Sequence, residues 1–238
     1  MLSKGYKYEI SRVNDGNLSF VWGEYDEVLA NRKKFLARAG FDFDKCVTVK
    51  TSDSSEVRVV DRQDAGRGIL HLEEAFAADA LMTTSLDINL FLLVADCAPT
   101  ILYDPTNRVL CLAHLNSMNL GLIPAVMTKF TEKYSTNLSE LKVFIGPAIH
   151  QGSFIVPDPF QRQESKWQNY IVNLDEHLTA IDMVGYLRDE MVRNGVSRKN
   201  ITVSDVDTYK DMDYYSHRRS AVTGEREGRF AMVVKLTE

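Results

Sequence analysis

Two short segments put reactive side chains where a rigid scaffold can present them. Ala95-Asp96-Cys97-Ala98-Pro99 follows directly on an apolar run, and Leu112-Ala113-His114 closes the next strand but one. Neighbouring strand ends commonly converge, and a thiolate beside an imidazole suits either zinc ligation or nucleophilic catalysis. Taken singly, each residue has a plainer reading: a free cysteine usually packs as a small hydrophobe, and a lone histidine is usually a hydrogen-bonded core residue. A third segment, Tyr215-Ser216-His217-Arg218-Arg219, also has two readings. An arginine fork and a hydroxyl there would hold phosphate or ribose oxygens, with Arg218 as the phosphate contact. Alternatively the run is a loop tied down by Glu225 and Glu227. His150, after Gly146-Pro147-Ala148-Ile149, is either a polar group at a strand end or a surface residue.

The elements that must position these groups can be read from periodicity. Tyr6 to Ser11 and Leu18 to Trp22 read as short strands, and Glu24 to Ala39 as a helix stopped by Gly40. Cys46 to Lys50 and Glu56 to Val60 read as a strand pair around Thr51-Ser52-Asp53-Ser54-Ser55. The continuous run Ile88 to Ala95 fits a strand buried on both faces. Thr100 to Tyr103 and Val109 to His114 follow as strands around Asp104-Pro105-Thr106-Asn107, then a helix over Asn119 to Tyr134 and a strand over Leu141 to Ile145. Ala180 to Asn194 has helical spacing with Gly195 as its stop, and Ile201 to Ser204 and Phe230 to Leu236 close the chain as strands. Strands and helices do not alternate in a strict βαβ rhythm, which predicts a mixed-sheet α/β or α+β fold. No repeat, low-complexity stretch or Pro/Gly-rich linker divides residues 1–238, so one domain is expected.

Composition narrows the function. The 238 residues carry a net charge of −5 with Lys and Arg scattered, which argues against a nucleic-acid groove but not against a small anionic substrate. Ile88 to Ala95, the longest apolar stretch, is too short to span a bilayer. Three cysteines form no disulfide framework, and the N-terminus lacks the apolar core of a secretory signal, so a reducing, cytoplasmic setting is expected.

The order Ala78-Asp79-Ala80-Leu81-Met82-Thr83, Ala95-Asp96-Cys97-Ala98-Pro99, His114, then Ile145-Gly146-Pro147-Ala148-Ile149 resembles the laccase-domain family. Its members are also called multicopper polyphenol oxidase-like or purine nucleoside phosphorylase-like proteins. Tyr215-Ser216-His217-Arg218-Arg219 followed by Gly228-Arg229-Phe230 is similar to that family's ending. The resemblance implies mixed β-sheets in a sandwich with flanking helices. It also implies a zinc site of histidine, cysteine and second histidine, and purine nucleoside chemistry with phosphate: phosphorolysis, and deamination of adenosine. Carried over by position, Cys97 is the cysteine and His114 the second histidine.

The sequence departs from that pattern in three places. The family's Gln-x-His-Gly turn reads Thr51-Ser52-Asp53-Ser54, with Asp53 where the first histidine belongs. Its His-Ala-Gly-Trp-Arg-Gly segment reads His114-Leu115-Asn116-Ser117-Met118-Asn119, so the Trp-Arg pair is gone. A cysteine-threonine step reads Asp207-Thr208. Zinc accepts carboxylate oxygen at about 2.0–2.2 Å, so an Asp53, Cys97, His114 ligand set is chemically sound. An Asp in a serine-rich turn is equally what a solvated loop contains. A multicopper cluster needs many imidazoles, and five histidines do not fill one, so copper oxidase chemistry is disfavoured. Three functions remain: a zinc-dependent purine nucleoside enzyme, a catalytically weak member that binds a nucleoside or a partner protein, and a metal-free hydrolase with Cys97 as nucleophile and His114 as base.

Overall fold

A computed structural model describes residues 5–238 in full and, of the preceding residues, the backbone of Leu2 and Ser3. In chain order the strands begin with β1 (Leu2–Ser3), β2 (Tyr6–Ile10), β3 (Cys46–Lys50), β4 (Val57–Val59) and β5 (Phe76–Ala77). They continue as β6 (Ala80–Thr83), β7 (Asn89–Val94), β8 (Ala98–Asp104), β9 (Val109–Leu115) and β10 (Lys142–Ile145). The last are β11 (Ile155–Pro157), β12 (Ile171–Asn173), β13 (Leu178–Ile181), β14 (Ile201–Val203) and β15 (Phe230–Leu236). The α-helices are α1 (Tyr25–Ala39), α2 (Leu122–Tyr134), α3 (Met183–Arg193) and α4 (His217–Thr223).

Two six-stranded mixed sheets form the body, ordered β1-β2-β15-β7-β3-β5 and β14-β10-β8-β9-β6-β4, with a small third sheet β11-β13-β12. Strand alternation explains the layering, because successive side chains leave opposite faces. On β7 and β15, Leu90, Leu92, Val94, Phe230, Met232 and Val234 enter a core shared with Leu110 and Leu112 of β9 and Ile101 of β8. The alternate residues Phe91, Ala231 and Val233 pack instead with Phe35 and Leu36 of α1. Across the second sheet, Cys111 and Ala113 of β9 share a core with Val126 and Phe130 of α2 and Leu187 and Met191 of α3. The result is the expected sandwich of mixed sheets between flanking helices. Among the described residues no helix is long and apolar enough to cross a membrane.

Three expected elements differ. Leu18 to Trp22 is not a strand: Asn17 holds Ser19 through both its amide atoms, and Arg32 Nε takes the Leu18 carbonyl at 2.8 Å. These side chains occupy the backbone groups that a ladder would need. The second helix starts at Leu122 rather than Asn119, with Pro124 in its first turn, where a missing N–H costs nothing. Ala180 and Ile181 belong to β13, and Asp182 caps α3 by accepting from Gly185 N at 2.8 Å. The third sheet has no counterpart in the sequence reading, since its strands are only three or four residues long.

Candidate functional site

Topology places the reactive residues at one end of the sandwich. Strands β3, β5 and β7 run parallel in the first sheet, so their C-terminal ends share a rim. From each the chain crosses to the second sheet. Asp53 lies on the β3–β4 crossing, Asp79 on β5–β6, and Asp96 and Cys97 on β7–β8. The β8–β9 hairpin then returns His114 beside Pro99. By alternation His114 shares the inter-sheet face of Leu110 and Leu112, capping the core at that rim.

Asp79 organises the rim. Its buried carboxylate accepts Ser52 N and Asp53 N on Oδ1, and Ser54 N, Ser54 Oγ and Asn119 Nδ2 on Oδ2, at 2.7–3.3 Å. Its backbone carbonyl accepts His114 N at 2.8 Å. Asp53, held at a positive φ of 51°, accepts Asn116 Nδ2 at 2.8 Å. Asn116 Oδ1 accepts the backbone N–H of Met118 and Asn119, and Ser55 Oγ donates to Asn119 Oδ1 at 2.6 Å. The positions that depart from the family pattern, Asp53 and Asn116, are thus bonded to each other.

Asp53, Asp79 and His114 each offer a metal-ligand atom, all within 4.8 Å of one another. Cys97 is not part of that trio, and Asp79 was missing from the sequence-derived ligand set. Five donors already occupy Asp79, more than the roughly four lone-pair sites of a carboxylate, which makes it the anchor of the turn. His114 Nδ1 is the opposite case, buried with no hydrogen-bond partner. Burial pushes the His114 pKa down against the pull of Asp79 and Asp53, with Arg229 lowering it further, so the ring is a neutral donor. An orphaned neutral imidazole beside a carboxylate fits a zinc ion. The Cys97 thiol is pushed up to about 12, first by burial and then by Asp96 and Asp53, with Arg229 opposing.

Cys97 instead lines an adjoining cleft of about 180 Å³. Ala95, Ile149, Phe154 and Met183 supply apolar wall, and Asn116, His217 and Arg218 supply polar edge. Asn116 therefore belongs to both places. Asp96, at φ 76°, accepts Thr208 Oγ1 and Arg218 N, each at 2.7 Å, and so fixes the start of α4 against the cleft. The two arginines of that segment divide the two readings between them. Arg219 is buried and donates to the carbonyls of Thr208, Tyr209 and Tyr214 and to Glu225, a structural tie. Arg218 lies over Phe154 at 5.9 Å, and its guanidinium has no anionic partner among the described residues. His150 donates its backbone N–H to Asp207 and is absent from the cleft lining.

Residues 7–237 match the family described as multi-copper polyphenol oxidoreductase laccase. A purine nucleoside phosphorylase of Corynebacterium glutamicum is 28% identical over 204 residues, covering 84% of this chain and 80% of that protein. The purine nucleoside phosphorylase YlmD of Bacillus subtilis is 27% identical over 202 residues, covering 81% and 72%. The fold is that of the hypothetical protein YfiH of Bacillus licheniformis, with a TM-score of 0.90 at 22% identity over 98% of this chain and 93% of that one. YlmD from Geobacillus stearothermophilus gives a TM-score of 0.86 at 22% identity over 93% and 85%.

Proposed function

Because the chain belongs to the multi-copper polyphenol oxidoreductase laccase family, we propose that it is a zinc-dependent purine nucleoside phosphorylase with adenosine deamination as a second activity. The names of its relatives support the nucleoside and phosphate. The observation that carries the reading is a cleft whose Arg218 has no anionic partner among the described residues, beside a buried imidazole whose Nδ1 has no hydrogen-bond partner among them.

In this reading Asp53 and His114 hold the zinc, with Cys97 as a third ligand brought in from the adjoining cleft, and Asp79 serves the turn that carries Asp53. A bound zinc ion supplies Lewis acidity and stabilises a thiolate that burial otherwise disfavours. Arg218 binds phosphate as a fixed cation, and Phe154, Ile149 and Met183 form the apolar wall that receives the purine. The metal-free hydrolase has less support, because burial pushes the Cys97 thiol up and disfavours the thiolate that a nucleophile needs. The weak-binder reading keeps one specific support, the Asp53–Asn116 bond that engages the replaced ligand position.

The test is untagged protein, analysed for zinc and copper and assayed on inosine and adenosine with and without phosphate. Stoichiometric zinc and phosphate-dependent release of base are expected, both lost in Cys97→Ala. Arg218→Ala should raise the phosphate KM by about tenfold or more at unchanged zinc content, the loss of a charge-assisted contact. Nucleoside binding without turnover would establish the weak binder instead.

A further inference from the structure

We propose that His217, held by Glu227, is the general acid that protonates the departing purine. The inference rests on the phosphorylase reading and adds a catalytic residue to the same cleft.

His217 lines the cleft together with Cys97 and Arg218. Its Nδ1 lies 3.0 Å from Glu227 Oε1, and Nε2 has no partner among the described residues. A carboxylate accepts only, so Nδ1 carries the hydrogen and the ring is oriented, which is the base-plus-orienter logic of catalytic histidines. Glu227 is itself held from three sides, by His217, by Ser220 Oγ and by Arg229 Nη1. Although burial raises its pKa, those three hydrogen bonds together lower it, so the carboxylate stays charged. Ser216 caps α4 by accepting from Arg219 N, and Asp96 accepts Arg218 N, so the backbone on either side of His217 is pinned. The His217 side chain is 61% exposed, so with Nδ1 held by Glu227 its Nε2 stays open to the cleft and to solvent.

The charged groups around the ring are Glu227 and Arg229 on the segment leading into β15, Arg218 beside it on α4, and Asp96, which accepts the Arg218 N–H at the start of α4. In the reaction a phosphate oxygen bonds to the ribose C1′ while the C1′–N9 bond breaks, and that electron pair enters the purine. The imidazolium Nε2–H proton goes to purine N7. The proton given up by the attacking hydrogenphosphate restores the imidazolium, so atoms and charge balance.

Leaving-group protonation can be isolated with 7-methylguanosine, whose purine is already cationic and needs no proton at N7. For His217→Gln, kcat/KM on inosine should fall by about 10²–10⁴-fold, while 7-methylguanosine loses less than about tenfold. Glu227→Gln should show the same selectivity in milder form, and zinc content and melting temperature should match the parent in both variants. Equal losses on the two substrates, or no loss on inosine, would overturn the assignment of His217 alone. A parent protein that cleaves neither nucleoside in phosphate would overturn the phosphorylase reading and this role with it.

Discussion

The Asn116 carboxamide oxygen accepts the N–H groups of Met118 and Asn119, so its Nδ2 is committed to Asp53 before any ligand arrives. Asp53 sits in the left-handed region, which aspartate tolerates better than most residues, and its carboxylate is aimed by this one side chain. Partners that orient a metal ligand typically contribute 10–100-fold in affinity. We expect Asn116→Ala to weaken zinc binding by about that factor, read by competition with a chromogenic chelator. An unchanged affinity would mean that the Asp79-anchored turn aims Asp53 unaided. The sequence singled out Asp53, Cys97, His114 and Arg218 as residues that could do chemistry, and the structure places the first and third in one acidic–imidazole group and the other two in the adjoining cleft. Asp79, Asn116 and His217 were not singled out for a role. The clue to Asp79 was an acidic residue between two alanines at the edge of an apolar strand, a position that burial permits only with a full set of donors.

Hairpin β8–β9 closes on Asp104, whose buried carboxylate accepts Thr106 N, Asn107 N, Asn107 Nδ2 and Thr136 Oγ1. Burial alone would raise its pKa, but these hydrogen bonds outweigh it and the pKa falls below the usual carboxylate value. A group whose folded pKa is depressed stabilises above its unfolded pKa, and that contribution is lost as pH falls through the folded value. Thr136→Val should therefore cost about 1 kcal/mol near neutral pH, with the gap to the parent narrowing below about pH 4. Urea unfolding at two pH values measures both; a gap independent of pH would assign the loss to packing. Elements with long apolar runs, such as β7, β9 and β15, were readable because burial on both faces leaves a continuous signature. Strands of three or four residues such as β11 and β12 leave none, and the Leu18 segment misled because its apolar residues serve a side-chain-bonded loop.

At the scale of the molecule, β15 lies between β2 and β7, so the end of the chain completes the sheet that carries three of the site's crossings. Removing residues 230–238 should abolish the cooperative thermal transition, since it strips Phe230, Met232 and Val234 from the inter-sheet core and takes one pairing partner from each of β2 and β7. Calorimetry on the truncated chain decides; a retained transition would show that the second sheet and its helices fold alone. By itself the sequence determined the mixed α/β class, the apolar strands of the sandwich and the chemical types gathered at Cys97 and His114, because alternation, helical spacing and residue identity are local properties. Only the tertiary structure decided that Asp79 takes five hydrogen bonds from its turn and from Asn119, that Cys97 lines the cleft rather than joining the Asp53–Asp79–His114 group, and that among the described residues Arg219 is tied to carbonyls and Glu225 while Arg218 has no anionic partner. Those outcomes depend on where parallel strands end and cross between sheets, which brings together residues far apart in the chain and leaves no periodic mark along it.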